Sequence, residues 1–234
     1  MLKPWLLERI KRGEAVLFLG AGSTFGATSS TGESPLSGDA LKDQICDEFL
    51  GGRLKNKSLA KVAELAKNES SLLDVQNFVA AKFSALRPSE FHKKVASFPW
   101  KGIVTTNYDL VIERAYQNST PKPVQDLFPI VRGGENFSEI VRNPRALPYL
   151  KLHGCISVAN DERLPLILAE EEYAKYKKYR ERLFTHLNEW AKDYTIVFCG
   201  YDIADPHIQQ ILFDIGDSSV ERKQYIYVPL ILTK

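Results

Sequence analysis

A glycine-rich stretch, GAGSTFG, follows the first apolar run of the chain and occupies residues 20–26. After a β-strand, glycines let the backbone approach a phosphate without clashes from Cβ atoms, and free N–H groups can then point at the anion. The pattern is neither a complete GxGxxG nor a P-loop, because Phe25 stands at the third glycine position and no Gly-Lys-Ser/Thr follows. The alternative interpretation is a tight turn after a strand.

A second polar motif, TTNYD, ends the next β-branched run at residues 105–109. Open α/β sheets bind ligands at the carboxyl ends of their strands. There, Asn107 could orient a water or a hydroxyl, and Asp109 could accept a hydrogen bond from an amide or a sugar hydroxyl. The alternative is that one of these side chains only caps the helix that runs to Tyr116.

Two further apolar runs end in a histidine and in a glycine. His153 lies at a strand tip, a position suited to a general base, although a lone histidine is more often structural. Gly200 permits close approach of a ligand, whereas Asp205 followed by proline is accounted for as the start of a helix. His92 and His186 lie inside helical patterns, and we expect both to be structural or surface residues.

The apolar runs that precede these motifs alternate with helical patterns and lack polar alternation, as parallel strands covered on both faces do. The predicted strands are 15–19, 102–105, 149–152, 165–168, 195–199 and 224–228. The predicted helices are 2–12, 39–50, 58–67, 71–86, 89–97, 173–192 and 205–215, besides the one that runs to Tyr116. This order predicts an α/β fold with a mainly parallel sheet.

The interval between the first two predicted strands is about eighty residues long, far more than one crossover needs. We therefore expect residues 39–98 to form a helical insertion, a small lobe over the sheet edge, within one domain that covers residues 1–234. The proline-containing segment 118–148 is expected to be loop with short elements.

Composition excludes several classes of protein. The 234 residues are 44% hydrophobic and 26% charged, as in ordinary globular domains. A net charge of +2 predicts no direct nucleic-acid binding, and the absence of an apolar run near ~18 residues predicts no membrane span. Three scattered cysteines without a CxxC pair argue against a disulfide framework or a cysteine zinc site. The same cysteine usage favours a reducing cytoplasm, and residues 1–14 lack the layout of a signal peptide.

In this order, the motifs GAGST, TTNYD, LHG and GYDIADP resemble those of the SIR2-like domains of bacterial defence proteins, which are relatives of the sirtuins. The resemblance extends from about residue 6 to residue 228. It implies a Rossmann-like fold that binds NAD+ as its substrate and breaks the bond between nicotinamide and ribose. It also implies an antiphage effector, a homo-oligomer restrained by a sensor domain or a partner chain, and this chain could be a piece of a longer multidomain protein.

The resemblance also implies roles for single residues. Asn107 would lie beside the anomeric carbon, Asp109 near the nicotinamide carboxamide, and His153 would act as a base on a ribose hydroxyl or on water. The implied NAD+-binding residues are Gly20, Ala21, Gly22 and Ser23 at the phosphates, Phe25 over the nicotinamide ribose, Gly200 and Tyr201 beside the adenosine half, and also Thr24, Thr106 and Asp205.

Two departures from the sirtuin pattern favour water as the acceptor. Residues 31–44 stand where protein-deacylating sirtuins carry a GIPDFR-like stretch. Only Cys155 and Cys199 follow His153, so the four-cysteine zinc site that frames the acyl-lysine tunnel of the sirtuins cannot be built. We therefore expect an NAD+ glycohydrolase without a zinc ribbon or another metal. The alternatives are a sirtuin-type deacylase or ADP-ribosyltransferase, and a catalytically silent nucleotide-binding module.

Overall fold

A computed structural model describes residues 3–133, 137–201, 208–211 and 225–228 of the chain. Within these residues one sheet is formed by β1 (Ala15–Leu19), β2 (Gly102–Thr105), β3 (Asp126–Ile130), β4 (Ala146–Lys151), β5 (Thr195–Cys199) and β6 (Tyr225–Val228). The strand order is β3-β4-β2-β1-β5-β6, and every neighbouring pair is parallel. This confirms the predicted α/β, Rossmann-like fold.

Helices fill the connections between the strands. They are α1 (Pro4–Lys11), α2 (Gly38–Phe49), α3 (Leu59–Glu69), α4 (Leu72–Phe83), α5 (Glu90–Val95), α6 (Val111–Gln117), α7 (Phe137–Arg142), α8 (Glu170–Ala174) and α9 (Lys177–Asp193). Two short 3-10 helices cover Ala21–Thr24 and Ile156–Val158. In the part of the chain that the structure describes, none of the helices has the length and apolar character needed to cross a membrane.

Both faces of the sheet are covered, because successive side chains of a strand point to opposite sides. On one face, Phe18 and Phe198 pack with residues of α9, including Trp190. On the other face, Leu17 and Val197 pack with apolar residues of α1, α5 and α6. Burial on both sides explains why the strands read as continuous apolar runs in the sequence.

Four helices, α2 to α5, lie between β1 and β2. Three of them begin after a serine whose hydroxyl accepts a backbone N–H of the first turn, at Ser37, Ser58 and Ser71. Apolar residues of α2, α3 and α4 form a core that also includes Leu166 and Leu168. The strand predicted at 165–168 is therefore wrong, since this segment is buried by packing against helices and forms no strand.

Of three further predictions, the short elements in 118–148 and the helix at 208–211 agree with the structure, and the extent of one helix differs. The segment 118–148 contains β3 and α7, and Pro129 is tolerated within β3 because this strand lies at the sheet edge and pairs with β4 alone among the described strands. The helix predicted at 173–192 is two helices, α8 and α9, with the first beginning earlier than expected. Of the helix predicted at 205–215, only residues 208–211 lie within the described part, and they are helical.

Candidate active site

The predicted motifs converge on one edge of the sheet. They follow β4, β2, β1 and β5, which are four adjacent parallel strands, so their carboxyl ends meet at the same edge. The Gly20 N–H donates to the Cys199 carbonyl at 3.0 Å, and the Gly22 N–H donates to the Gly200 carbonyl at 2.7 Å. The chain passes from β1 to β2 on one side and from β5 to β6 on the other. The switch point, where open α/β sheets bind ligands, thus lies between β1 and β5.

Glycines allow the loops after β1 and β5 to pack backbone against backbone. Gly200 has a φ of +62°, and a Cβ atom there would lie 2.1 Å from the Ser23 backbone nitrogen. A Cβ atom on Gly20 would lie 2.6 Å from the Gly200 carbonyl oxygen, and one on Gly22 would lie 3.0 Å from the Gly200 Cα. The tight turn and the ligand loop, which the sequence left as alternatives, are therefore compatible in one structure.

The residues after Gly20 form a single turn of 3-10 helix. Ala21 and Gly22 are exposed, so their backbone can be reached by a ligand. The side chains of the next two residues turn back into the loop, because Ser23 Oγ donates to the Gly20 carbonyl at 2.7 Å and Thr24 Oγ1 donates to the Ala21 carbonyl at 2.8 Å. Phe25 remains 54% exposed. The N–H groups of Gly20, Gly22 and Ser23 also donate to backbone carbonyls. Within the described residues this leaves the Ala21 N–H as the donor of the loop that a phosphate could contact.

Asn107 joins the loop after β2 to the loop after β1. Its Nδ2 group donates to the Gly20 carbonyl at 2.9 Å and to Ser23 Oγ at 3.3 Å. Its backbone N–H donates to Thr105 Oγ1 at 3.0 Å, and that hydroxyl donates to the Leu19 carbonyl at 2.8 Å. Because a carbonyl oxygen can only accept, the amide orientation is set. Asn107 Oδ1 makes no hydrogen bond within the described residues, so it remains an available acceptor.

Asp109 occupies the start of α6. It is buried, and its Oδ1 accepts the Val111 N–H at 2.8 Å. Its backbone carbonyl accepts a hydrogen bond from Lys151 Nζ, which also makes a 2.8 Å ion pair with Glu113. The N-cap residue of α6 is Leu110, whose side chain makes no capping bond, so Asp109 accepts the first N–H of the helix from one position before the cap. The contact between Asp109 and a nicotinamide carboxamide stays a prediction.

His153 lies two residues beyond β4 and is buried rather than exposed at the strand tip. Its ring contacts the Tyr173 ring edge-to-face, with the centroids 5.4 Å apart, and its carbonyl accepts the Ile167 N–H at 2.9 Å. The next residue, Gly154, has a φ of +97°, and a Cβ atom there would lie 2.8 Å from the guanidinium of buried Arg180. The position of His153 is thus fixed by a ring contact with Tyr173 and by a backbone hydrogen bond from Ile167.

The remaining predicted residues differ in their placement. Tyr201 is buried in the core, where its ring packs against Phe18 at 4.6 Å and Phe198 at 5.8 Å between centroids. The Tyr201 side chain therefore packs against β1 and lies beside Gly20, at the start of the loop after this strand. Thr106 is half-buried beside Asn107. Asp205 lies outside the described residues.

His92 reaches the site from the neighbouring helix, which the sequence did not indicate. Its ring is 1% exposed, and its Nε2 atom lies 2.8 Å from the Ser23 carbonyl oxygen. Burial lowers the pKa of His92, while the hydrogen bond to Ser23 and the charge of Asp109 act in the opposite direction. The two bonded residues are 69 positions apart, and a histidine in a helical pattern carries no local signal of such a contact.

Metal ligands are scattered in the described part of the chain, where no three of His, Cys, Asp or Glu come together. The three cysteines are buried free thiols. Burial raises the pKa of both Cys46 and Cys199, which keeps these thiols protonated and unreactive.

The comparisons with known proteins bear on this arrangement. The model of the SIR2-like domain matches residues 101–231, more than half of the chain. The chain belongs to the SIR2-like family. This confirms the resemblance inferred from the motifs. The match covers the motifs after β2, β4 and β5 in this SIR2-like chain, and the glycine loop after β1 precedes it.

Two curated proteins named NAD(+) hydrolase ThsA are similar to this SIR2-like chain. The protein from Enterococcus faecium is 28% identical over 214 residues, and the protein from Cytobacillus dafuensis is 24% identical over 207 residues. The alignments cover 89% and 88% of this chain, but 41% and 39% of the two relatives. The SIR2-like chain thus spans about two fifths of the length of the curated relatives it matches.

Proposed function

We propose that this chain is an NAD+ glycohydrolase, which cleaves the nicotinamide–ribose bond and releases nicotinamide and ADP-ribose. The observation that carries the proposal is the link between Asn107 and the Gly20 carbonyl at the carboxyl edge of the sheet. The Asn107 Nδ2 group is bonded to the loop after β1, and its Oδ1 atom is left as an acceptor beside a loop suited to phosphates. The names of the two relatives support the same reaction.

The proposed reaction does not require the protein to form a covalent bond with the substrate. Nicotinamide leaves as a neutral molecule, and the transition state resembles an oxocarbenium ion, as in other glycoside cleavages. The protein must hold the pyrophosphate and deliver a water to the anomeric carbon. Positioning of this kind lowers a barrier by several kcal/mol in order of magnitude.

The loop at Gly20 to Ser23 serves the first task through the Ala21 N–H, because its hydroxyls and its other N–H groups donate within the fold. Asn107 serves the second, since its Oδ1 accepts a hydrogen bond from a water or a ribose hydroxyl. His153 removes the proton as a general base, and Asp109 holds the carboxamide of nicotinamide.

Hydrolysis is favoured over removal of an acyl group from protein lysine, because the cysteines do not form the zinc site that accompanies deacylation in sirtuins. Loss of NAD+ is harmful to a cell. We therefore also infer that the activity serves antiphage defence and is restrained, through a sensor domain, a partner chain or assembly into a homo-oligomer, until infection.

The test is to incubate the purified chain with NAD+ and to identify the products by chromatography. Release of nicotinamide and ADP-ribose is expected from the parent. Asn107→Ala and His153→Ala should each reduce turnover by on the order of 10²-fold, because each removes a group that acts on the reacting atoms. The matched control is His186→Ala on α9, whose ring stacks on Phe137 outside the motifs.

Several outcomes would count against the proposal. Equal turnover by His153→Ala and the parent, with loss of turnover in His186→Ala, would show that the site is misplaced. Consumption of NAD+ only when an acyl-peptide is added would favour the deacylase alternative. NAD+ binding without any product, in the chain and in the longer protein if one exists, would favour a silent binding module.

A further inference from the structure

We infer that His92 is a positioning residue, which holds the Ser23 carbonyl and thereby sets the orientation of the Asn107 side chain. Its effect on turnover rests on the proposed function, whereas its effect on Asn107 does not. The inference starts from a contact between α5, which belongs to the helical interval between β1 and β2, and the glycine loop after β1.

The hydrogen bonds of His92 determine which ring nitrogen carries the proton. The Ser89 N–H donates to Nδ1 at 3.0 Å, so this nitrogen must be unprotonated. The Ser89 hydroxyl lies 2.8 Å from the same atom. The neutral ring then carries its hydrogen on Nε2, which donates to the Ser23 carbonyl at 2.8 Å. Nδ1 thus bonds the residue before α5, and Nε2 bonds the glycine loop.

Ser23 passes this constraint on to the proposed active site. It is 3% exposed, and its hydroxyl donates to the Gly20 carbonyl at 2.7 Å. The same hydroxyl and the same carbonyl are the two acceptors of Asn107 Nδ2. A shift of Ser23 would therefore displace both partners of the Asn107 amide and turn its Oδ1 away from the ligand.

The surroundings of His92 keep it neutral. The facing groups are the Ser89 hydroxyl on α5, the Ser23 carbonyl of the glycine loop and the charge of Asp109 at the start of α6. The Phe91 ring lies edge-on at 5.5 Å between centroids. A buried neutral histidine with both nitrogens engaged acts as a rigid two-ended spacer between a helix and a loop.

Two substitutions separate these two ends. His92→Asn places an acceptor near the position of Nδ1 and keeps the bond to Ser89, but it is too short to donate to Ser23. His92→Gln places a donor near the position of Nε2 and keeps the bond to Ser23, but it loses the cap. The surface substitution His186→Asn is the control for the change of side chain itself.

If His92 positions the loop, His92→Asn should lower kcat/KM for NAD+ by about tenfold or more, while His92→Gln should restore most of it. The melting temperatures should show the opposite order or no difference, because Asn retains the helix cap. A purely structural role would make turnover follow stability, so equal kcat/KM in the two variants, or a lower value in His92→Gln, would overturn the inference.

A second readout does not depend on hydrolysis. The side-chain amide resonances of Asn107, assigned by their loss in Asn107→Asp, should move in His92→Asn and stay near the parent positions in His92→Gln. If neither the parent nor a longer protein that contains it consumes NAD+ but these shifts are seen, the proposed function fails and the positioning role stands. If Asn107 is unmoved in His92→Asn, the inference is wrong whatever the activity.

Discussion

The glycines of this site are required by their contacts with one another. Gly20, Gly22 and Gly200 lie where the loops after β1 and β5 meet, and a Cβ atom at any of them would lie within 3.0 Å of a neighbouring atom. The same packing leaves the backbone of Ala21 and Gly22 exposed on the other side of the loop. The glycines of the proposed phosphate loop are thus already required by the close contact between the two loops.

We predict that Gly200→Ala unfolds the chain more easily than Gly32→Ala does. Both glycines have positive φ, +62° and +84°, but nothing lies within 4 Å of the Cβ position at Gly32. Gly32→Ala should therefore cost only the conformational penalty of about 1 kcal/mol. Gly200→Ala adds a clash with Ser23 and should cost on the order of 3 kcal/mol. Urea unfolding measures both, and equal costs would show that the loops are not in contact.

Strand β4 and helix α6 are joined by a buried ion pair beneath the second motif. The Lys151 side chain is 0% exposed and that of Glu113 is 12% exposed, with 2.8 Å between Nζ and Oε1. Lys151 Nζ also donates to the Asp109 carbonyl, and it lies 5.3 Å from the centroid of the Tyr149 ring. The pair therefore ties the loop after β2 to β4, the strand that precedes His153.

We predict that Glu113→Ala lowers the free energy of unfolding by on the order of 3 kcal/mol, because it leaves the Lys151 ammonium buried without its counter-charge. The double variant Lys151→Met/Glu113→Leu should recover part of this loss. Asp126→Ala is the matched control, since it breaks an exposed ion pair with Arg145 and should change stability little. A similar cost for the two single variants would contradict the importance of burial.

At the scale of the molecule, the described residues combine one parallel sheet, helices on both faces and four helices between the first two strands. Its cysteines come from three separate places: Cys46 on α2, Cys155 after β4 and Cys199 at the end of β5. Chain connectivity alone keeps them from forming the paired ligands of a zinc ribbon. The SIR2-like fold is therefore held by its hydrophobic clusters in the described residues.

We predict that the purified chain contains no stoichiometric zinc. Treatment with EDTA should leave the melting temperature and NAD+ consumption unchanged, because no zinc site contributes to folding or catalysis. Elemental analysis provides the direct measurement, and a catalytically inactive Asn107→Ala preparation is the control for metal carried by the purification. A content of about one zinc ion per chain would show that ligands come together where the sequence does not indicate it.

The sequence was sufficient for features that depend on neighbouring residues. Continuous apolar runs predicted β1, β2, β4 and β5, since burial on both faces removes polar alternation. Capping serines predicted the starts of α3 and α4 within one or two residues. The position of the motifs behind these strands was enough to place them at one edge, because parallel strands end on the same side.

Only the tertiary structure decided which atoms meet at that edge. The run at 165–168 has the composition of a strand but is buried by α2, α3 and α4, and β3 is formed by pairing with β4 despite its proline. Tyr201 packs on Phe18 in the core, and His92 holds Ser23 across 69 positions of sequence. These contacts join residues that are distant along the chain, so no local pattern of residue types encodes them; they depend on how the sheet and helices pack.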